Sequence, residues 1–147
     1  MKYIDLAEYI RSEVQGAPDF LIERSAREAA IEFCVKTDVY RLEPEDLQII
    51  AKIDEYEVTV PSGTELNHII DIYRDGKPLK PVSYTRLLEI TGDGTQRAKP
   101  NSYSQRDNTV FYVATVPDEK ETLKALYSVK PSPTSTSIPD TIGREYR

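Results

Sequence analysis

In DFLIERSAREAAIEFCVKTDVYRLE, residues 19–43, the spacing of apolar residues changes from the period of a helix to that of a strand. Up to Thr37, Leu21 or Ile22, Ala26, Ala29, Ala30, Phe33 and Cys34 form one apolar stripe. Glu23, Arg24, Arg27, Glu28, Glu32 and Lys36 fall on the opposite face, which predicts an amphipathic helix over 19–37. Three small alanines in the stripe let another helix or a sheet approach closely. Upstream, MKYIDLAEYIRSEV has the same pattern, with Tyr3, Leu6, Ala7, Ile10 and Val14 on one face. Gly16-Ala17-Pro18 separates the two helices.

After Thr37 the segments are short, rich in Ile, Val and Tyr, and mostly alternating. They predict strands over 39–43, 48–53, 56–60, 66–74, 109–116 and 122–129. Tyr56/Val58/Val60 and Leu123/Ala125/Tyr127/Val129 alternate most cleanly. Asp75-Gly76 is a residue pair suited to a type I′ hairpin, because both positions need positive φ. SYTRLLEITGDG reads as a short helix stopped by Gly92-Asp93-Gly94, and residues 95–106 as a polar loop with one strand near Tyr103. Helices gathered at one end and strands after them predict an α+β fold: an N-terminal helical pair, an antiparallel sheet or sandwich of about six strands, and the start of a C-terminal helix. The expected organisation is a single domain over 1–147, with helices in 1–37, a β-rich body in 38–130 and a loop with a C-terminal helix in 131–147.

Composition narrows the function. A chain of 147 residues with 39% hydrophobic content can build a core without metal or disulfide support. One cysteine, Cys34, excludes an intrachain disulfide and any cysteine-based zinc site, and it suits a reducing compartment. The single histidine, His68, removes the usual metal and triad constellations; its register with Leu66, Ile70 and Ile72 predicts an edge-of-core residue. No apolar run approaches membrane-span length, and Asp5, Glu8 and Glu13 are wrong for a signal peptide. Net charge is −6, and residues 1–50 carry 6 Lys/Arg against 11 Asp/Glu. Such a balance argues against gripping a phosphate backbone, yet suits a protein past which DNA must slide. Gly92–Thr95 lacks the acidic ligands of a calcium loop and the Gly-Lys-Ser/Thr ending of a phosphate loop. No catalytic, cofactor or metal site is expected. Ten tyrosines without tryptophan leave some tyrosines for the core and others for protein contacts.

The stretch VKPSPTSTSIPDTIGREYR, residues 129–147, adds a Pro/Ser/Thr loop and then Ser137-Ile138-Pro139-Asp140, the spacing of a capping box. Ile138, Ile142 and Tyr146 follow at spacing four, a pattern that a frayed tail does not require. A helix this short is marginal alone, so the expectation is that something outside the chain completes it. Ile138, Ile142, Arg144, Tyr146 and Arg147 are therefore the candidate docking residues, toward a larger partner or a neighbouring copy.

Three stretches in this order carry a resemblance. PDFLIERSAREAAIEFCVKTDVYR (18–41), HIIDIYRDGKPLKPVS (68–83) and YSVKPSPTSTSIPDTIGREYR (127–147) resemble the early helix, central hairpin and closing strand of a known group. That group is the small head–tail connector or adaptor proteins of tailed bacteriophages. The resemblance implies a virion structural protein without enzymatic activity, assembled in the host cytoplasm and seated at the head–tail junction. Its implied partners are the portal protein, neighbouring subunits in a ring (commonly a dodecamer) and a downstream tail or nozzle protein. It also implies that DNA passes the channel without specific binding, that no membrane is involved, and that the terminal helix packs with the first two. The competing expectation is a phage-encoded intracellular protein-binding module, an inhibitor or regulator acting as monomer or dimer. A small enzyme ranks last.

Overall fold

A computed structural model of the chain describes residues 1–145. It is an α+β structure of four helices and two four-stranded sheets. The described chain divides into two compact units. The first holds residues 1–41, 61–67 and those from Ser128 onward; the second holds 42–60 and 68–127.

In the first unit, α1 spans Tyr3–Ile10 and α2 spans Asp19–Thr37. Helix α2 has the predicted bounds, but Ala29 of the predicted stripe is exposed and Arg27 of the predicted water face is half-buried beside Tyr3. Ile22, not Leu21, takes the inward position, and Cys34 is fully buried. On the wet face Arg24–Glu28 and Lys36–Glu32 pair at i,i+4, and the half-buried Arg27 pairs likewise with Glu23. Asp38 closes the helix in the left-handed region at φ 52°, its N–H bonded to the Cys34 carbonyl at 3.1 Å. Helix α1 stops earlier than its apolar stripe suggested. Turns begin after Ile10, Ser12 Oγ bonds the Tyr9 carbonyl at 3.0 Å, and Val14 is left 48% exposed. The last helix, α4, spans Asp140–Glu145.

The second unit contains most of the sheet residues. The first sheet runs β1(Glu45–Ile49), β8(Glu121–Pro131), β3(Thr64–Arg74), β4(Lys77–Pro78). The second runs β2(Glu55–Glu57), β7(Val110–Ala114), β6(Ser102–Asp107), β5(Lys80–Pro81). Strand β1 pairs antiparallel with β8, Glu45 opposite Ala125. Strands β2, β7 and β6 pair antiparallel in turn, while β5 lies parallel to β6 with Lys80 opposite Ser102. Helix α3, Tyr84–Thr91, starts at a Ser83 cap whose hydroxyl accepts from the Arg86 N–H at 3.2 Å.

The alternation Leu123/Ala125/Tyr127/Val129 is borne out: all four are at most 3% exposed. Asp75 and Gly76 both take positive φ, 50° and 75°, and register Tyr73 opposite Pro78. Other expectations are corrected. Residues 39–43 form no strand; only an isolated bridge joins Arg41 to Ser128, between the left-handed Asp38 and Pro44, which lacks an N–H. Residues 50–53 leave the strand predicted over 48–53 because the Tyr56 hydroxyl gathers a turn there. It bonds the carbonyls of Ile50 and Ile53 at 3.1 and 2.6 Å and accepts from the Ile50 N–H at 3.0 Å. In β3 the buried residues are Leu66, Ile69 and Ile72, a spacing of three that leaves His68 exposed instead of at the edge of a core.

Candidate docking segment

The first unit brings the two ends of the described chain together, and the described candidate docking residues, Ile138, Ile142 and Arg144, lie near that meeting. Residues 136–138 run beside residues 1–3. The Tyr3 N–H donates to the Thr136 carbonyl at 3.1 Å, the Ile138 N–H to the Met1 carbonyl at 2.9 Å, and an isolated bridge joins Lys2 to Ser137. The Met1 ammonium donates to the Ile138 carbonyl at 2.8 Å and forms an ion pair with the Asp140 carboxylate. Asp140 therefore serves a contact 139 residues away as well as the first turn of α4. Its carboxyl is held below the usual carboxylate range, first by the hydrogen bond from the ammonium, then by the charges of that ammonium and Arg144.

Beneath this clasp lies an apolar lock. Ile138 and Ile142, 5% and 7% exposed, pack with the fully buried Tyr3 and Cys34. Leu6 of α1 and Ala26, Ala30 and Phe33 of α2 pack against that cluster. Of the three alanines predicted to permit close approach, Ala26 and Ala30 do so here while Ala29 is exposed, and α4 contributes Gly143 to the same end. A Cβ at Gly143 would lie 3.1 Å from the Met1 sulfur and 3.3 Å from Ile138 Cγ2, so the glycine sets how near the segment sits.

Polar groups on the loop side complete the arrangement. Arg27 Nε donates to the Ser135 carbonyl at 2.7 Å, and its guanidinium stands 5.7 Å from the centre of the Tyr3 ring. The Tyr3 hydroxyl lies 3.4 Å from Ser135 Oγ. Burial pushes the Tyr3 phenol up, while the Ser135 contact and Arg27 oppose it. Burial pushes the Cys34 thiol up, and the fully buried sulfur packs in the cluster. Beside the lock runs an apolar groove of about 550 Å³ lined by Leu6, Ile10, Ala26, Ala30, Phe33 and Ile142 among others. A second groove of about 540 Å³ follows the Pro/Ser/Thr loop, with Tyr40, Ser62, Thr64, Ser132 and Thr134 in its walls and no charged side chain lining it among the described residues.

Of the candidate docking residues, Ile138 and Ile142 thus lie against the chain's own helices. Arg144 is exposed and near Asp140 at 3.4 Å. Tyr146 and Arg147 lie outside the described residues. Sequence reading did not find the Met1–Asp140 clasp or the Arg27–Ser135 bond, since both join residues more than 100 positions apart and neither leaves a periodic signal. Among the described residues no group of His, Cys, Asp and Glu is placed to hold a metal ion, and no helix is long and apolar enough to cross a membrane.

Comparison with known proteins adds one finding. The family model described as SU10 adaptor protein matches residues 1–145. No curated protein matches the chain.

Proposed function

The chain belongs to the SU10 adaptor protein family, and from that premise we propose that it is a ring subunit joining the portal of a tailed phage to its tail. As a phage head–tail adaptor it is a structural component of the virion and interacts with other head or tail proteins. The family match over residues 1–145 carries this reading.

In the proposed role residues 1–147 act as one adaptor domain, repeated around an axis in a ring, commonly dodecameric, between the portal and a downstream tail or nozzle protein. Assembly takes place in the host cytoplasm, and the part played is mechanical, without catalysis. The segment carrying Ile138, Ile142, Arg144, Tyr146 and Arg147 docks to the portal or to a neighbour. Its lock supports that role, since Ile138 and Ile142 are buried on α1 and α2 and hold the segment in one place while Arg144 stays exposed. The ring lines the DNA channel in this reading. Net charge supports that part: −6 in all, with 11 acidic against 6 basic residues in 1–50, repels phosphate and lets a duplex pass without adhesion.

Negative-stain electron microscopy of the protein mixed with portal rings of the same phage tests the proposal. The expected image is an added ring of density at one end of the portal. Bare portals beside free protein would overturn the reading and put the intracellular binding module ahead.

A further inference from the structure

The strand order places chain segments of opposite charge at the two ends of each sheet. Strands β1 and β2, one end of the first and second sheets, both come from LEPEDLQIIAKIDEYEV, residues 42–58. That stretch carries Glu43, Glu45, Asp46, Asp54, Glu55 and Glu57 against the single Lys52. Strands β4 and β5, the other ends, both come from KPLKP, residues 77–81, which has two lysines and no carboxylate. Three strand spacings, roughly 14 Å, separate the ends of each sheet.

Protecting a sheet edge from aggregation needs charge or proline, but of either sign. It does not require acid at one end of both sheets and lysine at the other. Asp46 is paired with Lys124 at 3.6 Å, but other charges at the two ends are available. Glu55 and Glu57 accept from the neutral hydroxyls of Tyr112 and Thr109, at 2.7 and 2.6 Å, and form no ion pair among the described residues. Arg74 and Lys99 are matched by Glu121 and Glu119, whereas Lys77 and Lys80 are exposed and form no ion pair among the described residues.

Each end also has apolar surface. Ile50 and Ile53, 51% and 43% exposed, stand on the turn between β1 and β2, held by the Tyr56 hydroxyl. Pro78 and Pro81 are exposed on the other end, on either side of the buried Leu79. Two prolines in five residues prevent a continuous strand from adding there, so contact must go through side chains.

We propose that the β1–β2 edge of one copy docks on the KPLKP edge of the next, with Ile50 and Ile53 against the proline rings and the surrounding carboxylates facing Lys77 and Lys80. The occupant of each edge is a second copy of this chain, and the contact is head to tail. Head-to-tail contacts build rings when the rotation closes. The inference deepens the proposed adaptor ring by naming its side faces, and it rests on that reading for closure.

Charge reversal on the full chain tests it, read by sedimentation velocity over a concentration series at low salt. Lys77→Glu with Lys80→Glu makes both edges acidic, and Glu55→Lys with Glu57→Lys makes the acidic edge markedly more basic. Each variant alone should raise the concentration at half-association by roughly tenfold or more. An equimolar mixture of the two, and a chain carrying all four changes, should both return toward the wild-type value. Reversal variants that associate like wild type overturn the edge assignment and leave the ring reading intact. A wild type that stays monomeric throughout also overturns the inference, since these edges should attract without help; the portal experiment judges the ring reading separately. If circular dichroism finds a reversal variant unfolded, Lys77→Gln/Lys80→Gln and Glu55→Gln/Glu57→Gln replace it. Unchanged salt dependence of association in these neutral variants would then count against the proposal.

Discussion

Ile142→Ala measures how firmly the C-terminal segment is held. Ile142 is 7% exposed and packs with Tyr3, Cys34 and Ile138. The substitution removes three carbons, at about 0.8 kcal/mol for each buried one, or about 2.4 kcal/mol. No large cavity penalty should be added, because Ile142 lines the open groove beside the lock and the gap can be entered from it. Alanine also suits the interior of α4 better than isoleucine, by about 0.4 kcal/mol. The net loss should be about 2 kcal/mol, or a fall in Tm of about 4–8 °C for a chain of this size. Ile138→Ala lies before the helix, gains nothing from propensity and should cost more. Urea denaturation gives the free energies, and amide exchange locates the effect. The Ile138 and Gly143 N–H groups, bonded to Met1 and Pro139 carbonyls at 2.9 Å, should lose protection first. A loss under about 0.5 kcal/mol with both amides still protected would refute the claim that Ile142 anchors the segment.

Asp140→Asn should lower stability at pH 6 and make no difference in strong acid. The folded carboxyl titrates below the usual carboxylate range, so its contribution is present above that range and is lost as pH falls through the lowered folded value. A gap between variant and wild type that persists at pH 2 would contradict the Met1 clasp. Tyr127 makes the opposite prediction at alkaline pH. Burial, then the bond to Glu45 and that carboxylate's charge, raises its phenol from 10.0 to about 12. The associated stability is full below pH 10 and is lost between 10 and 12, by a few kcal/mol, roughly 3. Tyr127→Phe should flatten that decline, and equal slopes in the two proteins would rule the tyrosine out as its source. Cys34 should react with a thiol reagent only as fast as the protein opens, because its side chain is fully buried and its thiol pushed up. Stoichiometric labelling within seconds under native conditions would show the helical lock to be open.

The elements legible in advance were those whose cause is local. Helix α2 needed only its own stripe of Ile22, Ala26, Ala30, Phe33 and Cys34. The Asp75-Gly76 turn needed only two residues that accept positive φ. Strand β8 showed its buried face through alternation at Leu123, Ala125, Tyr127 and Val129. Elements set by distant partners were misread or missed. KPLKP carried no strand expectation, because two-residue strands beside proline have no periodicity; they exist because Leu79 is buried and Lys80 pairs with Ser102 of β6. The turn at 50–53 depends on a tyrosine hydroxyl that no spacing rule includes. Asp140 looked like a capping carboxylate, which its neighbours Ser137 and Pro139 justified, and the structure also gives it the chain's own ammonium.

The sequence by itself determined the α+β class, the helical pair, the hairpin and the closing strand, since hydrophobic period and turn chemistry act over a few residues. Only the tertiary structure decided that Ile138 and Ile142 face Tyr3 and Cys34, that Met1 holds Asp140, and that β1 and β2 stand at one end of their sheets with β4 and β5 at the other. The physical reason is the same in each case. Burial and charge pairing are properties of neighbours in space, and here those neighbours lie tens of residues to well over 100 residues apart along the chain.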